Sequence, residues 1–195
     1  VLPLALLVVF GSWAVTSPVG SSPDDDYHLS SIWCAGGERS GVCEVVADEP
    51  QALAVPESVG FAHECFAFQP AVTAACTERL TETLVPTQRV NNRQGLYPSF
   101  FYRVMNVFVG DDPQRSVLMM RLFNAIVFVA LLSVALTILT PAIRSAVTVV
   151  TAVVLVPLGL FIIPSTNPSS WTVTGVIFLW AFGLSLAQRT SWRSR

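Results

Sequence analysis

Three adjacent aspartates and a histidine form the densest group of ionisable side chains in this chain of 195 residues. They lie in the segment Pro23–His28 (PDDDYH), shortly after an apolar run that ends near Ala14. Like charges within one helical turn repel each other, and a nearby cation or a divalent metal ion would relieve that repulsion. A carboxylate placed in such a group can serve as the general base for a substrate hydroxyl.

Two interpretations of this acidic segment are compatible with its residues. Asp24 and His28 would share one face of a helix because they are four residues apart, so that Asp24 could orient the imidazole. The alternative is a solvated helix start, in which Ser22 caps the helix, Pro23 takes the first position and the carboxylates complement the helix dipole. Both interpretations predict a short helix at Pro23–Trp33.

Cations and aromatic rings form a second group before the longest apolar run. Arg89, Arg93 and Arg103 could hold a phosphate through their guanidinium groups, and Tyr97 lies among them in the sequence. An interfacial helix whose arginines face lipid headgroups would contain the same residues, so this alternative stays open.

Two polar residues interrupt the longest apolar run about one helical turn apart. Arg121 and Asn124 are candidates for substrate binding, because polar side chains in an apolar span usually face a protein interior or a cavity. Snorkelling to the headgroups is the alternative for Arg121, which is near the end of the run. Further along the chain, Pro164–Ser170 (PSTNPSS) predicts a tight turn.

Apolar helices are the elements that would position these groups. Hydrophobic residues make up 52% of the chain and charged residues 12%, with a mean hydropathy of +0.59, whereas a soluble domain has about 25% charged residues. Three of the four apolar runs approach the ~20 residues that cross a bilayer. The runs are Val1–Ala14, Val117–Leu139, Ala146–Ile163 and Trp171–Leu186. The composition predicts a mainly α, polytopic membrane protein with four membrane helices.

We divide the chain into four membrane helices around one external domain. The predicted boundaries are 1–16, 116–140, 145–164 and 171–188 for the helices, 17–115 for the external domain and 189–195 for a tail. All 13 acidic residues lie within 17–115, whereas Arg144 and the terminal arginines flank the later helices. The positive-inside rule therefore places 17–115 outside the cell membrane and the C-terminus in the cytoplasm.

The first apolar run is shorter than a spanning helix needs. It begins at Val1 with no basic segment before it, so we expect further residues to precede it in the full protein. A secretory signal peptide is the alternative interpretation of this run.

The chain has four cysteines, and all of them lie in the predicted external domain, where disulfides form. Of the three pairings that four cysteines allow, we favour Cys34–Cys43 and Cys65–Cys76, because each closes a short local loop. A zinc site is the alternative, although the spacing lacks the C-x-x-C pairs of such sites. Elsewhere in this domain we predict helices at Pro70–Leu84 and Tyr97–Val109 and a loop at Gly36–Ser58.

In their order along the chain, these groups resemble a bacterial family of polytopic membrane proteins of unknown function, the domain of unknown function numbered twenty-one forty-two. That family is similar to the GT-C superfamily of glycosyltransferases, which use lipid-phosphate sugars and include protein O-mannosyltransferases and aminoarabinose transferases. The pattern comprises an acidic pair and a histidine after the first membrane helix, a Y-P-P-like motif, an R-x-x-N element and an N-P element. The matching residues are Asp24, Asp25, His28, Tyr97, Pro98, Arg121, Asn124, Asn167 and Pro168. Two positions depart from it, since Asp25 stands where glutamate is commoner and Ser99 replaces the second proline.

The resemblance implies catalytic roles for Asp24, Asp25 and His28, with Asp24 as the general base or metal-linked carboxylate for an acceptor hydroxyl. A divalent metal ion at Asp24 and Asp25 is the implied cofactor. The resemblance also implies a polyprenyl-phosphate sugar as donor, a glycan or protein as acceptor, catalysis at the outer membrane face, and no nucleic acid partner. The residues assigned to substrate binding are Arg93, Tyr97, Arg103, Arg121, Asn124 and Asn167.

Members of such superfamilies usually have many more membrane helices, so we expect this chain to be an N-terminal portion with an incomplete site. A non-catalytic membrane protein, whose disulfide-bonded external domain binds a partner or assembles with other subunits, is the alternative of a different class. A transporter or channel subunit is a third, and its support is limited to Arg121, the only charge well inside a predicted span.

Overall fold

A computed structural model describes residues 1–49, 52–89, 92 and 95–193 of the chain, with side chains as far as Gln188 in the last helix. The chain forms two units. The first unit comprises Val1–Ala14, Arg121–Ser165 and Ser169–Arg195, and the second comprises Val15–Met120 and Thr166–Pro168.

The described residues are mainly helical, as predicted from the composition. In chain order the helices are α1 (Leu2–Thr16), α2 (Asp25–Cys34), α3 (Glu57–Gly60), α4 (Ser99–Asn106), α5 (Pro113–Ile138), α6 (Pro141–Val154), α7 (Pro157–Ile162) and α8 (Ser169–Arg193). The strands are β1 (Glu44–Val45), β2 (Leu53–Pro56) and β3 (Leu84–Thr87), and two 3₁₀ helices lie at Ala62–Cys65 and Ala74–Arg79.

Among the described residues, two helices are long and apolar enough to cross a membrane, namely α5 and the part of α8 between Ser169 and Gln188. At 1.5 Å per residue, the 26 residues of α5 extend roughly 39 Å, which exceeds the thickness of the hydrocarbon core. The apolar helices α1 and α6 have only 15 and 14 residues. Two candidate spans are therefore present, and the number of four membrane helices stays a prediction.

The third apolar run is divided into two helices, although the sequence predicted a single helix at Ala146–Ile163. α6 ends at Val154 and α7 begins at Pro157. Proline has no N–H for the helical ladder, and its ring clashes with the preceding turn, so the helix is interrupted here. This prediction was wrong because the proline was treated as part of the run.

Large apolar side chains form the core of the first unit. Phe128 on α5 lies between Phe10 and Phe178, with ring centroids 5.5 and 5.4 Å apart. The outer surface of α8 is also apolar, since Leu179 is 76% exposed and Trp180 is 66% exposed. Helices that are apolar on both their packed and their exposed faces are typical of a lipid environment. The other buried core residues are Leu6, Ala125, Leu132, Ala135, Leu139, Ile143, Val147, Ile163, Ile177 and Ala181.

The second unit contains an antiparallel sheet with the strand order β1-β2-β3. Leu53 lies opposite Thr87 and Pro56 lies opposite Leu84, and every residue of the central strand β2 is buried. Two predictions for this unit were wrong, because Gly36–Ser58 contains β1 and β2 rather than only loop, and Pro70–Leu84 contains a 3₁₀ turn rather than an α-helix. A strand as short as β2 shows no measurable periodicity in the sequence. Its partner β3 is distant in sequence, so local patterns do not reveal the pairing either.

Both favoured disulfides, Cys34–Cys43 and Cys65–Cys76, are present. The Cys34–Cys43 disulfide begins at Cys34, the last residue of α2, and Asn106 from α4 binds the backbone at the same end of this helix. The Asn106 side chain donates hydrogen bonds to the carbonyls of Ile32 at 2.8 Å and Trp33 at 3.2 Å, which satisfies two acceptors at the helix C-terminus. A Cβ atom at Gly36 would lie 2.5 Å from the Asn106 Oδ1, so glycine leaves room for this amide.

Candidate functional site

The predicted acidic helix is present and begins two residues later than predicted, at Asp25. Asp24 precedes it in the left-handed region, with φ 56° and ψ 28°. Aspartate visits this region more readily than most residues because its short side chain can form local hydrogen bonds. Non-glycine residues held in this conformation often occur at functional sites, so the turn at Asp24 is a candidate functional site.

Asp25 is the buried carboxylate of the acidic segment, with 1% of its surface exposed. Its Oδ2 accepts the backbone N–H of Ser22 at 2.9 Å, and its Oδ1 accepts the hydroxyl of Thr166. Ser22 thus donates its backbone N–H to Asp25, whereas the sequence predicted a cap from the Ser22 side chain. These hydrogen bonds offset part of the cost of burying a carboxylate.

The Asn-Pro element packs on the acidic turn within the second unit. The Asn167 side chain donates a hydrogen bond to the carbonyl of Pro23 at 2.8 Å and is only 6% exposed. Its neighbour Thr166 is fully buried against Asp25. Sequence reasoning missed Thr166, and its only signal was its position in the Pro164–Ser170 turn. The geometry gives both residues contacts that hold the acidic turn in place.

The two remaining carboxylates are in different surroundings. Asp24 is exposed, whereas Asp26 forms an ion pair with Arg89, whose side chain is 62% exposed. A surface pair of this kind contributes little to stability. Arg89 was considered for phosphate binding from the sequence, and in the structure it pairs with an acidic side chain. Of the three neighbouring aspartates, Asp24 is therefore the one whose carboxylate is most accessible to a ligand.

His28 faces inward from α2 and pairs with a tyrosine of α4. Its Nδ1 lies 2.9 Å from the Tyr102 hydroxyl, and each of the two residues is 1% exposed. Burial lowers the pKa of His28 to about 4, although the negative charges of Asp24 and Asp26 act in the opposite direction. Burial also raises the pKa of Tyr102. Both side chains are consequently neutral near pH 7, and one ring nitrogen of His28 can accept a hydrogen bond.

Tyr97 adds an accessible ring to this pair. Its ring centroid lies 5.2 Å from that of His28 and 5.9 Å from that of Tyr27, and the residue is 40% exposed. Asn92 fixes its backbone, because the Asn92 amide donates to the Tyr97 carbonyl at 2.6 Å and accepts the Tyr97 N–H at 2.7 Å. The sequence predicted Tyr97 as a binding residue, gave Tyr102 no role although it ends the same aromatic segment, and missed Asn92, which has no motif of its own.

The predicted phosphate-binding arginines of the second unit can be placed only in part. Arg103 is exposed on α4, one residue after Tyr102. Arg93 lies outside the described residues, so its assigned role stays a prediction.

The R-x-x-N element belongs to the first unit, where both of its polar residues are buried. Arg121 is 2% exposed and Asn124 is 1% exposed. Asn124 donates to the carbonyl of Ser165 at 2.6 Å, and its Oδ1 accepts the indole N–H of Trp171 at 2.8 Å. These side chains face the protein interior, as expected for polar residues in an apolar helix. The burial of Arg121 does not fit snorkelling to the headgroups.

No group of three or more His, Cys, Asp and Glu side chains is arranged to hold a metal ion within the described part of the chain. Asp25 is already engaged by Ser22 and Thr166. A metal ion at this turn would therefore need most of its ligands from elsewhere, and the predicted metal site stays a prediction.

This protein has apolar helices of spanning length with apolar exposed faces, features that are typical of helical membrane proteins. A family model described as "Predicted membrane protein (DUF2142)" matches residues 7–195, and the chain belongs to this family. This confirms the resemblance to that family, whereas its similarity to the GT-C superfamily stays a prediction. No curated protein and no solved structure matches the chain. The family has no known function, so membership alone assigns no activity.

Proposed function

We propose that this protein is a GT-C-like membrane glycosyltransferase, or its N-terminal part, which transfers a sugar from a polyprenyl-phosphate donor. The observation that carries the proposal is the contrast between two adjacent carboxylates. Asp25 is buried and hydrogen-bonded, whereas Asp24 is exposed in a left-handed conformation one turn before the buried His28. This arrangement fixes the backbone of the turn while leaving one carboxylate accessible for chemistry.

In this mechanism Asp24 accepts the proton of the acceptor hydroxyl. The acceptor oxygen forms a bond to the anomeric carbon, and the bond from that carbon to the phosphate oxygen breaks. The electron pair leaves with the polyprenyl phosphate, and the proton stays on the Asp24 carboxylate. Asp25 is a positioning residue here, since it holds the turn through Ser22 and Thr166.

The residues around the acidic turn have supporting roles in the proposal. Tyr97 offers an exposed ring for packing against a sugar. His28 is neutral near pH 7 and orients Tyr102 rather than supplying positive charge. A divalent metal ion at Asp24, with the donor phosphate among its ligands, would stabilise the charge that develops on the leaving group.

The proposed location is the outer face of the cell membrane, with residues 17–115 extracytoplasmic and the C-terminus cytoplasmic. The two disulfides support this orientation, because disulfides persist in oxidising compartments. The arginines that flank the later helices support it independently through the positive-inside rule.

A non-catalytic membrane protein that binds a partner through its disulfide-bonded unit is the second candidate. It is favoured by the contacts of Asp25, Thr166 and Asn167, all of which are bonds within the protein that a purely structural turn would also make.

Transfer from labelled polyprenyl-phosphate sugars by the full-length protein in lipid nanodiscs tests the proposal. Asp24→Asn should reduce transfer by roughly 10²–10⁴-fold, the usual contribution of a general base. Asparagine also tolerates the left-handed conformation, so the melting temperature should not change. Asp48→Asn is the matched control, because Asp48 is an exposed aspartate of the same unit. Equal transfer by the wild type and Asp24→Asn would remove Asp24 from the mechanism.

A further inference from the structure

A cavity of about 340 Å³ with both polar and apolar lining lies in the second unit. Its volume falls within the roughly 300–1,000 Å³ range of small-molecule sites. The deep wall contains Ser31, Tyr102, Leu53 and the Cys34–Cys43 disulfide, and of these Tyr102 is 1% exposed and Leu53 4% exposed. Because the Tyr102 hydroxyl also contacts His28, this wall adjoins the residues of the acidic turn.

The lining combines hydrogen-bonding groups with an apolar surface of similar extent. Ser99 contributes a hydroxyl, and the Asn92 amide and the Tyr102 oxygen keep hydrogen-bonding capacity beyond the contacts they already make. Leu53 and the disulfide provide the apolar part. A ligand that fits such a lining has an apolar face and several hydroxyl groups.

The charges of the lining are balanced and lie at its exposed rim. Among the described residues that line the cavity, Glu38 and Arg103 are the charged ones, and both are exposed. Their opposite signs balance within the described part of the lining. The balance therefore favours a neutral ligand over an anionic one.

We infer that this cavity binds a neutral sugar residue, and that in the transfer reaction this residue belongs to the acceptor glycan. The assignment to the acceptor rests on the proposed function, whereas the binding of a neutral sugar rests on the cavity itself. The charge and the lipid chain of a polyprenyl-phosphate donor match this lining less well than a neutral sugar does. Tyr102 connects the sugar site to His28, and His28 follows Asp24 by one helical turn.

Titration calorimetry on the full chain in lipid nanodiscs tests the site. The probes are glucose, galactose, mannose, arabinose, maltose and lactose, with glucose 1-phosphate as the charged comparison. Ser99→Trp places an indole at the rim and should weaken binding of the best neutral sugar by roughly tenfold or more. Ser40→Trp is the matched control, because Ser40 is exposed in the Cys34–Cys43 loop and does not line the cavity. Its affinity should equal that of the wild type.

A second variant tests the rim without added bulk. Arg103→Leu removes a hydrogen-bond donor at an exposed position and should lower the affinity for the same sugar by about fivefold. The inference is overturned if none of the neutral sugars binds, if glucose 1-phosphate binds more tightly than glucose, or if both variants bind the sugar as the wild type does.

The transfer assay separates this inference from the proposed function. Sugar binding that is lost in Ser99→Trp, in a protein without transferase activity, would keep the cavity as a sugar site and overturn the glycosyltransferase. Transfer activity with an unchanged acceptor KM in Ser99→Trp would keep the glycosyltransferase and overturn the cavity as its acceptor site.

Discussion

The two units of this protein differ in the polarity of the surfaces that they expose. The second unit contains all 13 acidic residues of the chain and buries Asp25 and His28 in a hydrogen-bonded group. The first unit contains no acidic residue, and its exposed surface includes Leu179 and Trp180. Both units have an apolar core and a buried hydrogen-bonded group, Asn124 with Trp171 in the first and Asp25 with Thr166 in the second, so they differ mainly in the surfaces that they expose.

This contrast explains why both disulfides lie in the second unit. Its sheet is small, and the unit has several irregular segments that bury little apolar surface. Small domains of this kind commonly rely on disulfides to limit the entropy of the unfolded chain. The first unit needs no such links, because long apolar helices are stable in lipid, where their backbone groups are satisfied within each helix.

The largest expected effect in the second unit is the loss of the Cys34–Cys43 disulfide. Chain entropy alone predicts about 2.6 kcal/mol for this bridge and about 2.8 kcal/mol for Cys65–Cys76. Cys43 is 1% exposed, whereas both cysteines of the second bridge are partly exposed. We therefore expect Cys34→Ala/Cys43→Ala to cost about 4 kcal/mol and Cys65→Ala/Cys76→Ala about 3 kcal/mol. Chemical unfolding in nanodiscs measures both, and an equal or reversed order would contradict the role given to burial.

A charge on the exposed face of α8 tests the lipid environment of the first unit. Leu179→Arg should raise the free energy of membrane insertion by about 3 kcal/mol, because an arginine near the middle of a span is costly. Phe68→Arg is the control, since Phe68 is fully exposed in the second unit and should tolerate the charge. A glycosylation-mapping insertion assay gives both values. Equal insertion of Leu179→Arg and the wild type would show that this face does not meet lipid.

Separate substitutions of Asp25 and Asp24 distinguish the carboxylate that stabilises the acidic turn from the one that is available for chemistry. Asp25→Asn should destabilise the protein by about 2–3 kcal/mol, because an amide cannot accept both the Ser22 N–H and the Thr166 hydroxyl as a carboxylate does. Asp24→Asn should change stability by less than about 0.5 kcal/mol, as expected for an exposed site. Thermal unfolding monitored by circular dichroism compares the pair. Equal melting temperatures of the two variants would contradict this distinction between Asp24 and Asp25.

The buried histidine predicts a stability loss in acid. The pKa of His28 is about 4 in the folded protein, below the ordinary value of 6.5, so between these values the unfolded chain binds a proton that the folded chain does not. Stability from this residue is therefore present at neutral pH and decreases as the pH falls from about 7 to 5, by about 2 kcal/mol.

Unfolding monitored by circular dichroism over this pH range can follow this change. His28→Gln should remove this contribution to the acid sensitivity. Tyr102→Phe should keep it, since burial rather than the tyrosine hydroxyl is the main cause of the shift. An unchanged pH profile in His28→Gln would assign the acid sensitivity to other groups.

The helices that the sequence predicted best are those with the longest apolar runs. α5 and α8 lie close to their predicted bounds because a run of that length cannot be accommodated as a strand or loop. The break at Pro157 was readable from the proline itself and was overlooked. The strands β2 and β3 were missed for a different reason, since their pairing depends on residues about 30 positions apart.

The sequence drew attention to the acidic turn but not to the division of roles within it. The spacing of Asp24, Asp25 and His28 marked the turn, but nothing in it showed which carboxylate would be buried. That outcome depends on Thr166, which is distant in sequence and bonds Asp25. It also depends on the left-handed backbone at Asp24, which rotates this side chain out of the helix that begins at the next residue.

The small sheet has a further consequence for the chain before its disulfides form. Within the described residues its two edge strands are β1, with two residues, and β3, whose Pro86 has no N–H to donate. Short edges and edge prolines leave few backbone groups on which a strand from another molecule could add. The unit therefore offers little template for cross-β aggregation while its disulfides are still forming.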